Sequence, residues 1–218
     1  MRKFLLLFYI TSLFAFDNSQ IDTKIIFKKH NIATVNKVIT KGMTGYVIHN
    51  KMMIAKAVSM GEQNITLMPL YSLKNSALAS PKISPALGDK VIFGLYNSRG
   101  LIIAPNQTIY LKTQQQNPNI NFLSSDIFAN YFDSKPTKKD FQKFCIDFNV
   151  GLIYFILDKQ YVVDCNSFSV LETSNANTAK YTKPFFANYK EFHKSLFSSV
   201  PKNWIQYYKS LFNKSKDK

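Results

Sequence analysis

Short runs of β-prone residues follow one another at close spacing through the first half of the chain. Turn-forming residues separate them, among them Gly42, Gly61 and the pair Asn50–Lys51. The runs are 25–27, 32–35, 45–49, 53–58, 64–70, 91–96, 100–104 and 108–111. Because many short strands with tight connections are typical of closed or layered antiparallel sheets, the pattern predicts a small barrel or a sandwich.

A polar connector at 114–119 interrupts this β pattern, and two helices are predicted after it. Ser125–Asp126 offer an N-cap for the first helix, which carries apolar side chains at helical spacing. Thr137 can cap the second helix, and Asp140 occupies the capping-box position. The predicted buried stripe of the second helix consists of Phe141, Phe144, Cys145 and Phe148.

The last third of the chain predicts a β-hairpin and then a basic helix. The apolar run 151–157 is turned back into 160–165 by Asp158–Lys159. In the tail, apolar side chains recur on one helical face and lysines lie elsewhere. This tail face consists of Trp204, Ile205, Tyr208, Leu211 and Phe212. It either packs on the body of the protein or stands free as a docking face for a partner groove or a membrane surface.

Together these elements predict an α+β protein. An antiparallel β-rich barrel or sandwich comes first, followed by a helical pair, a β-hairpin and a C-terminal basic helix. The predicted division is a signal peptide at 1–16, a β-rich subdomain at 17–113, an α+β subdomain at 120–197 and a basic amphipathic tail helix at 198–218.

The first sixteen residues have the pattern of a secretory signal peptide. Arg2 and Lys3 precede an apolar stretch that ends at the small residue Ala15, and polar residues follow at once. The stretch is shorter than the roughly 20 residues that a membrane-spanning helix needs. We therefore expect export from the cytoplasm, with an uncleaved N-terminal anchor as the alternative.

The charge balance of the chain predicts anionic partners. The formal net charge is +15, and without Arg2 and Lys3 there are still 26 basic residues against 13 acidic ones. Such a protein attracts lipid headgroups, acidic proteins and acidic polysaccharides. Because export separates it from nucleic acid, and because it carries no nucleic-acid-binding motif, we expect no nucleic acid among its partners.

The two cysteines, Cys145 and Cys165, are a candidate disulfide in an exported protein. A bridge that closes a loop of about 20 residues stabilises a fold by roughly 3 kcal/mol. The alternative is a pair of buried thiols that act as small apolar side chains.

No motif for catalysis is present in the sequence. It has no nucleophile elbow, zinc-protease helix, P-loop or dinucleotide-binding glycine pattern. The three histidines lie far apart, and Asp147, Asp158 and Asp164 are isolated candidates for acid–base work. We therefore expect a binding or scaffold protein with no catalytic residue, metal or cofactor. An envelope hydrolase whose groups converge only in the fold is the remaining alternative.

Four segments of the chain resemble a known family. They read SPKISP to GDKVI at 80–92, LIIAPNQ at 101–107, PTKKDF to NVGL at 136–152, and YVVDC with a following Phe at 161–168. In order and spacing they are similar to the N-terminal domain of the plasminogen-binding surface proteins of epsilon-class proteobacteria. The resemblance extends from about Phe27 to about Phe192, and it implies an exported protein of the periplasm or cell surface that captures host plasminogen.

The basic tail suggests how plasminogen would be held if the resemblance extends to function. The family carries a long lysine-rich extension after this domain, whereas the sequence here closes with Lys214, Lys216 and Lys218. The lysine-binding sites of plasminogen kringles take an ammonium and a carboxylate together. A terminal lysine offers both groups, each recognised through charge-assisted hydrogen bonds. Lys218 is therefore the predicted ligand, with Lys216 and Lys214 beside it.

A second functional class is also compatible with the sequence. The protein would then be a periplasmic structural component of an envelope machine, such as a flagellar or secretion apparatus. Its β-rich body would dock envelope proteins, and the tail face would bind a partner groove or an anionic surface.

Overall fold

A computed structural model describes residues 17–70, 83–131, 135–176 and 201–213. The fold is α+β, as predicted, and it is built from a closed barrel and a second sheet with helices packed on it. Of the two predicted β architectures, the barrel is the one that forms.

Six antiparallel strands close the barrel in the order β1–β2–β5–β4–β3–β6. Closure is made by β1 and β6, where Ile21 pairs with Phe93 and Lys24 pairs with Lys90. The strands are β1 (Ile21–Lys29), β2 (Ile32–Val35), β3 (Thr44–His49), β4 (Met52–Gly61), β5 (Asn64–Pro69) and β6 (Lys90–Phe93). Alternate side chains point inward and form the barrel core, which includes Ile25, Ala33, Val35, Val47, Ala57, Ile65, Val91 and Phe93.

The turn between β3 and β4 follows directly from its sequence. Asn50 and Lys51 both have positive φ, at 48° and 65°. Two consecutive residues of this kind form the two-residue hairpin turn whose twist matches that of the flanking strands. The turn predicted at Asn50–Lys51 is confirmed, and it joins β3 and β4 as a hairpin.

The second sheet has five strands in the order β11–β10–β9–β7–β8. They are β7 (Arg99–Ile103), β8 (Asn121–Leu123), β9 (Leu152–Ile156), β10 (Lys159–Asp164) and β11 (Val170–Asn175). The hairpin β9–β10 is antiparallel, as predicted, but β7 runs parallel to both β8 and β9. Although β7 falls inside the predicted 17–113 subdomain, it pairs in this second sheet. The predicted subdomain limits remain predictions.

Four helices occur in the described ranges: α1 (Gln107–Gln116), α2 (Ser125–Tyr131), α3 (Lys138–Phe148) and α4 (Trp204–Asn213). The capping box predicted for α3 is confirmed, because Asp140 and Thr137 each accept a hydrogen bond from the other's backbone N–H. At α2 the capping hydroxyl belongs to Ser124, one residue before the predicted pair, and it accepts from the N–H of Asp126 at 3.2 Å.

The prediction of a strand at 108–111 was wrong, because these residues lie in α1. The side chain of Asn106 accepts a hydrogen bond from the N–H of Ile109 at 3.0 Å and so caps the helix. The first three residues of the predicted connector, 114–116, form the C-terminal end of the same helix. Local β propensity was outweighed by the cap and by the good helix formers that follow it.

The central strand β9 of the second sheet is buried on both faces. One face of β9 contributes Ile153 and Phe155 to the core shared with α2, α3 and α4. The other face contributes Leu152 and Tyr154 to the core on the side of α1. Every residue of β9 is therefore buried, which accounts for its nearly continuous apolar sequence.

Candidate functional site

The barrel and the second sheet meet along a seam. On the barrel side it includes β3, β4 and the turn before β3; on the other side it includes α3 and the turn 164–169 after β10. Asp164 lies at its centre and is 2% exposed. One of its carboxylate oxygens accepts from the backbone N–H of Thr44 at 2.8 Å, and the other accepts from the Thr44 hydroxyl at 2.7 Å. The same carboxylate accepts from the backbone N–H groups of Asn166 and Ser167 at 3.1 and 2.8 Å.

This arrangement assigns Asp164 an architectural role. Complete burial raises the pKa of the Asp164 carboxyl above its ordinary value, and the hydrogen bonds from Ser167 and Thr44 oppose that rise. Both oxygens accept hydrogen bonds, and the donors belong either to the turn 164–169 or to the first residue of β3. The carboxylate therefore joins two parts of the fold that are distant in sequence.

Gly42 allows the turn and the barrel to approach closely. Its carbonyl accepts a hydrogen bond from the Ser167 hydroxyl at 2.6 Å. A Cβ atom at this position would lie 2.3 Å from the Cβ of Ser169, and the φ of Gly42 is +86°. Both the conformation and the close approach therefore require glycine.

A small cavity opens on the seam beside these contacts. Its volume is about 60 Å³. It lies between the barrel strands β3 and β4 and the C-terminal end of α3, and it also touches the loop between β6 and β7. The side chains around it include Tyr46, Met53, Lys56, Tyr96, Ile146 and Asn149. Tyr46 and Tyr96 meet edge to face, with ring centroids 5.4 Å apart.

Lys56 is the basic side chain of this cavity. It pairs with Tyr46 on one side and with Met68 on the other, in a row on the outside of the barrel. Burial lowers the pKa of Lys56 below its ordinary value, and the nearby Asp164 carboxylate partly opposes this effect. The Lys56 ammonium donates a hydrogen bond of 3.4 Å to the side-chain oxygen of Asn166. The cavity therefore combines a partly desolvated cation with apolar and aromatic walls.

The other two predicted acid–base candidates lie on the surface in ion pairs. Asp147 is bound by the ammonium of Lys143 at 2.6 Å, which holds the pKa of that carboxyl below its ordinary value. Asp158 is bound by Lys209 at 2.5 Å. The three predicted candidates are not brought together, so their positions give no support to the hydrolase alternative.

The histidines are equally dispersed in the described ranges. Nδ1 of His49 lies 2.7 Å from one carboxylate oxygen of Asp89, and the other oxygen accepts a hydrogen bond from the N–H of Ala86. His30 is exposed in the turn between β1 and β2, and His193 lies outside the described residues. Within 17–70, 83–131, 135–176 and 201–213, no three His, Cys, Asp or Glu side chains are grouped so that they could hold a metal.

The cysteine pair is joined in the structure. Cys145 on α3 and Cys165 after β10 form a disulfide, with Cα atoms 5.8 Å apart. Both residues are buried in the core between α3 and the second sheet. The bridge ties α3 to the same turn that carries Asp164, so it supports the seam from the other side.

The tail face is buried against the protein's own core. Trp204, Tyr208 and Leu211 are 5%, 0% and 7% exposed. Ile205 and Phe212 are partly buried against the same cluster. Of the two alternatives, the structure has the helix packed on the body. Docking of this face on an outside partner stays a prediction, and it would require the helix to leave the core.

The remaining predicted sites lie outside the described residues. They are the signal peptide at 1–16 and the three lysines Lys214, Lys216 and Lys218. In the part of the chain that is described, no helix has both the length and the apolar character needed to cross a bilayer.

Sequence reasoning did not find the Lys56 cavity. Lys56 interrupts the otherwise apolar run 53–58, and this is the only local signal that it carries. Its proximity to α3 and to Asn166 depends on contacts between distant parts of the chain, which no spacing rule reveals. The sequence suggests Asp164 as an acid–base group, whereas its hydrogen bonds show that it anchors the turn 164–169 to the start of β3.

The fold and the seam together define an α+β protein in which a closed barrel is fixed onto a mixed sheet. The family described as plasminogen-binding protein pgbA N-terminal matches residues 20–213, so the chain belongs to this family. The recognised family resemblance is thereby confirmed.

Two curated relatives are named plasminogen-binding protein PgbA. The plasminogen-binding protein PgbA of Helicobacter pylori strain J99 is 34% identical over 193 residues, and that of strain 26695 is 33% identical over 193 residues. Each alignment covers 83% of this chain but 42% of the relative, so the chain spans less than half the length of these proteins. No solved structure matches the chain.

Proposed function

We propose that this protein is an exported bacterial binding protein that captures host plasminogen. The observation that carries the proposal is the family match over residues 20–213, together with relatives named for plasminogen binding. A family named for binding favours a binding function over a catalytic one.

Export is supported by two features of this chain. Residues 1–16 have the order of charge and apolarity of a signal peptide. The buried disulfide between Cys145 and Cys165 is of the kind that persists in an oxidising compartment. Both features favour the periplasm or the outer surface as the working location.

The proposed contacts with plasminogen are the tail lysines Lys214, Lys216 and Lys218. They follow α4 directly in sequence, and α4 is anchored in the core through Trp204 and Tyr208. The three lysines are therefore attached to the folded body through α4. Lysine ammonium groups are the chemistry that a lysine-binding site recognises.

Binding of plasminogen to the immobilised chain tests this mechanism. A Lys214→Gln/Lys216→Gln/Lys218→Gln variant is expected to lose most of the binding, and a soluble lysine analogue is expected to compete with the unaltered protein. The control is Lys28→Gln/Lys37→Gln/Lys51→Gln, which removes the same charge from the barrel. Equal losses in both variants would indicate attraction by net charge alone, and unchanged binding in the tail variant would remove the tail from the mechanism.

Protease treatment of intact cells tests the location separately. Digestion on intact cells supports a surface protein that can meet plasminogen. Protection until the outer membrane is broken would instead favour the periplasmic scaffold role, even if the purified protein binds plasminogen.

A further inference from the structure

The position of Lys56 on the seam is unusual for a lysine of a barrel strand. It stands on the outer face of β4, where side chains ordinarily reach water, but the C-terminal end of α3 lies across the cavity from it. Its side chain is therefore about half buried, and its ammonium approaches the turn 164–169. A lysine in this position loses part of its hydration, which a protein compensates with a hydrogen-bonded anion.

The neighbouring carboxylate does not fully meet that need. Asp164 attracts Lys56, but its two oxygens already accept four hydrogen bonds from Thr44, Asn166 and Ser167. Among the described residues, the ion pairs within 4.0 Å do not include Lys56, and its ammonium donates the 3.4 Å hydrogen bond to Asn166. Lys56 is thus a cation whose local counter-charge is already engaged elsewhere.

The cavity in front of Lys56 limits what can bind there. A volume of about 60 Å³ accommodates a group of a few heavy atoms rather than a complete metabolite. Met53, Ile146 and the ring pair Tyr46–Tyr96 supply apolar surface beside the charge. The site therefore suits a short apolar stem that ends in an anionic group.

The end of α3 disfavours a doubly charged anion more strongly than a singly charged one. Helix C-termini carry a partial negative charge, which opposes a phosphate dianion more strongly than a monoanion. The carbonyls of Cys145 and Ile146 already accept hydrogen bonds from Asn149 and Val150, so the helix end does not compete for the Lys56 ammonium. One ammonium facing one carboxylate is the balanced arrangement.

We propose that the seam cavity is a carboxylate-binding site, in which Lys56 pairs with the acid and the walls hold its apolar stem. The carboxylate belongs either to a small monocarboxylic acid or to a glutamate side chain of a bound peptide. This site is independent of plasminogen capture by the tail, because it accepts an acid where the tail offers lysine.

Titration of the ¹⁵N-labelled full chain, followed by NMR, tests the site. The probes are butyrate, a blocked peptide with one internal glutamate, its glutamine counterpart, and inorganic phosphate. Butyrate or the glutamate peptide is expected to cause saturable shifts of the amides near Met53, Asn149 and Asn166, whereas the glutamine peptide causes none. Saturation by butyrate identifies a small acid as sufficient, and saturation by the peptide alone places the carboxylate on a polypeptide.

Lys56→Met and Lys56→Gln are expected to weaken binding by about tenfold or more, because a charge-assisted hydrogen bond is lost. Lys51→Met, in the exposed turn before β4, is the matched control and is expected to bind normally. Thermal unfolding of each variant establishes that it is folded. Absence of saturable shifts, equal weakening by Lys51→Met, or tighter binding of phosphate than of butyrate would overturn the proposal.

Discussion

Asp164 and Thr44 are separated by 120 residues in sequence, yet the carboxylate of one accepts hydrogen bonds from both the backbone N–H and the hydroxyl of the other. This pair connects the first residue of β3 in the barrel with the last residue of β10 in the second sheet. Because the contact is fully buried, each of its hydrogen bonds is expected to contribute measurably to stability.

Replacing the hydroxyl at position 44 tests this connection. Thr44→Val keeps the shape of the side chain and removes one donor to the carboxylate, so the free energy of unfolding is expected to fall by about 2 kcal/mol. Thr34→Val is the control, since its hydroxyl makes a longer bond of 3.5 Å to Asn64 at a partly exposed site. The control is expected to change stability by about 0.5 kcal/mol or less. Urea unfolding measures both, and equal losses would contradict the role assigned to Asp164.

The disulfide provides a second test of the seam. Cys145→Ala/Cys165→Ala opens a loop with a sequence separation of 20 residues, and the expected loss is about 3 kcal/mol of unfolding free energy. Reductant should destabilise the unaltered protein in the same direction and leave the double variant unaffected. If reductant has no effect on the unaltered protein in urea, the bridge does not contribute to its stability.

The packing of α4 can be followed through the single tryptophan of the chain. Tyr208 is fully buried, and its ring centroid lies 5.2 Å from that of Phe155 and 5.4 Å from that of Trp204. Tyr208→Ala is expected to cost about 3–5 kcal/mol and to shift Trp204 fluorescence to the red as the helix loosens. Ser210→Ala, on the exposed side of the same helix, should alter neither quantity appreciably. Unshifted fluorescence in Tyr208→Ala would mean that α4 stays docked without this ring.

The half-buried charge of Lys56 predicts that the stability of the protein depends on pH in a particular direction. Its pKa is lower in the folded protein than the ordinary value of 10.5, so the folded state binds this proton less tightly than the unfolded chain does. Below the lowered pKa, the cost of burying the cation is present in full. As pH rises from there towards 10.5, the folded protein gains stability from this residue.

Lys56→Met removes this cost, so the variant is expected to be more stable than the unaltered protein at pH 7. Its advantage should shrink as the pH approaches 10.5. Chemical denaturation at several pH values measures the difference in unfolding free energy between the variant and the unaltered protein. For Lys51→Met this difference is expected not to change with pH over the same range. An advantage that grows with pH would contradict the assigned direction of the Lys56 shift.

The elements that could be predicted from the sequence are those determined by nearby residues. The turn at Asn50–Lys51, the capping box of Thr137 and Asp140, and the amphipathic spacing of α4 are all encoded within a few positions. Each depends on a backbone preference or a periodicity that tertiary contacts reinforce.

The errors arose where distant contacts or a weak local signal decided the outcome. At 108–111 the β-prone residues were misleading, although Asn106 was a recognisable cap for the helix that forms. The parallel pairing of β7 with β8 and β9 has no local signature, because it depends on which strands meet after the intervening chain has folded. The Lys56 cavity has the same origin, since its walls come from the barrel, the loop between β6 and β7, and the end of α3.

The closure of the barrel has a consequence for the order in which this protein can acquire structure. The strand that begins at Ile21 completes its pairing only with the strand that ends at Phe93. A chain that emerges from its N-terminus therefore keeps one edge of β1 unpaired until nearly the whole barrel segment is available. Such long-range pairing forms slowly, and until it forms the unpaired edge of β1 can pair with strands of other chains. If the protein is exported, as proposed above, this delay would help to keep the chain unfolded while it crosses the membrane.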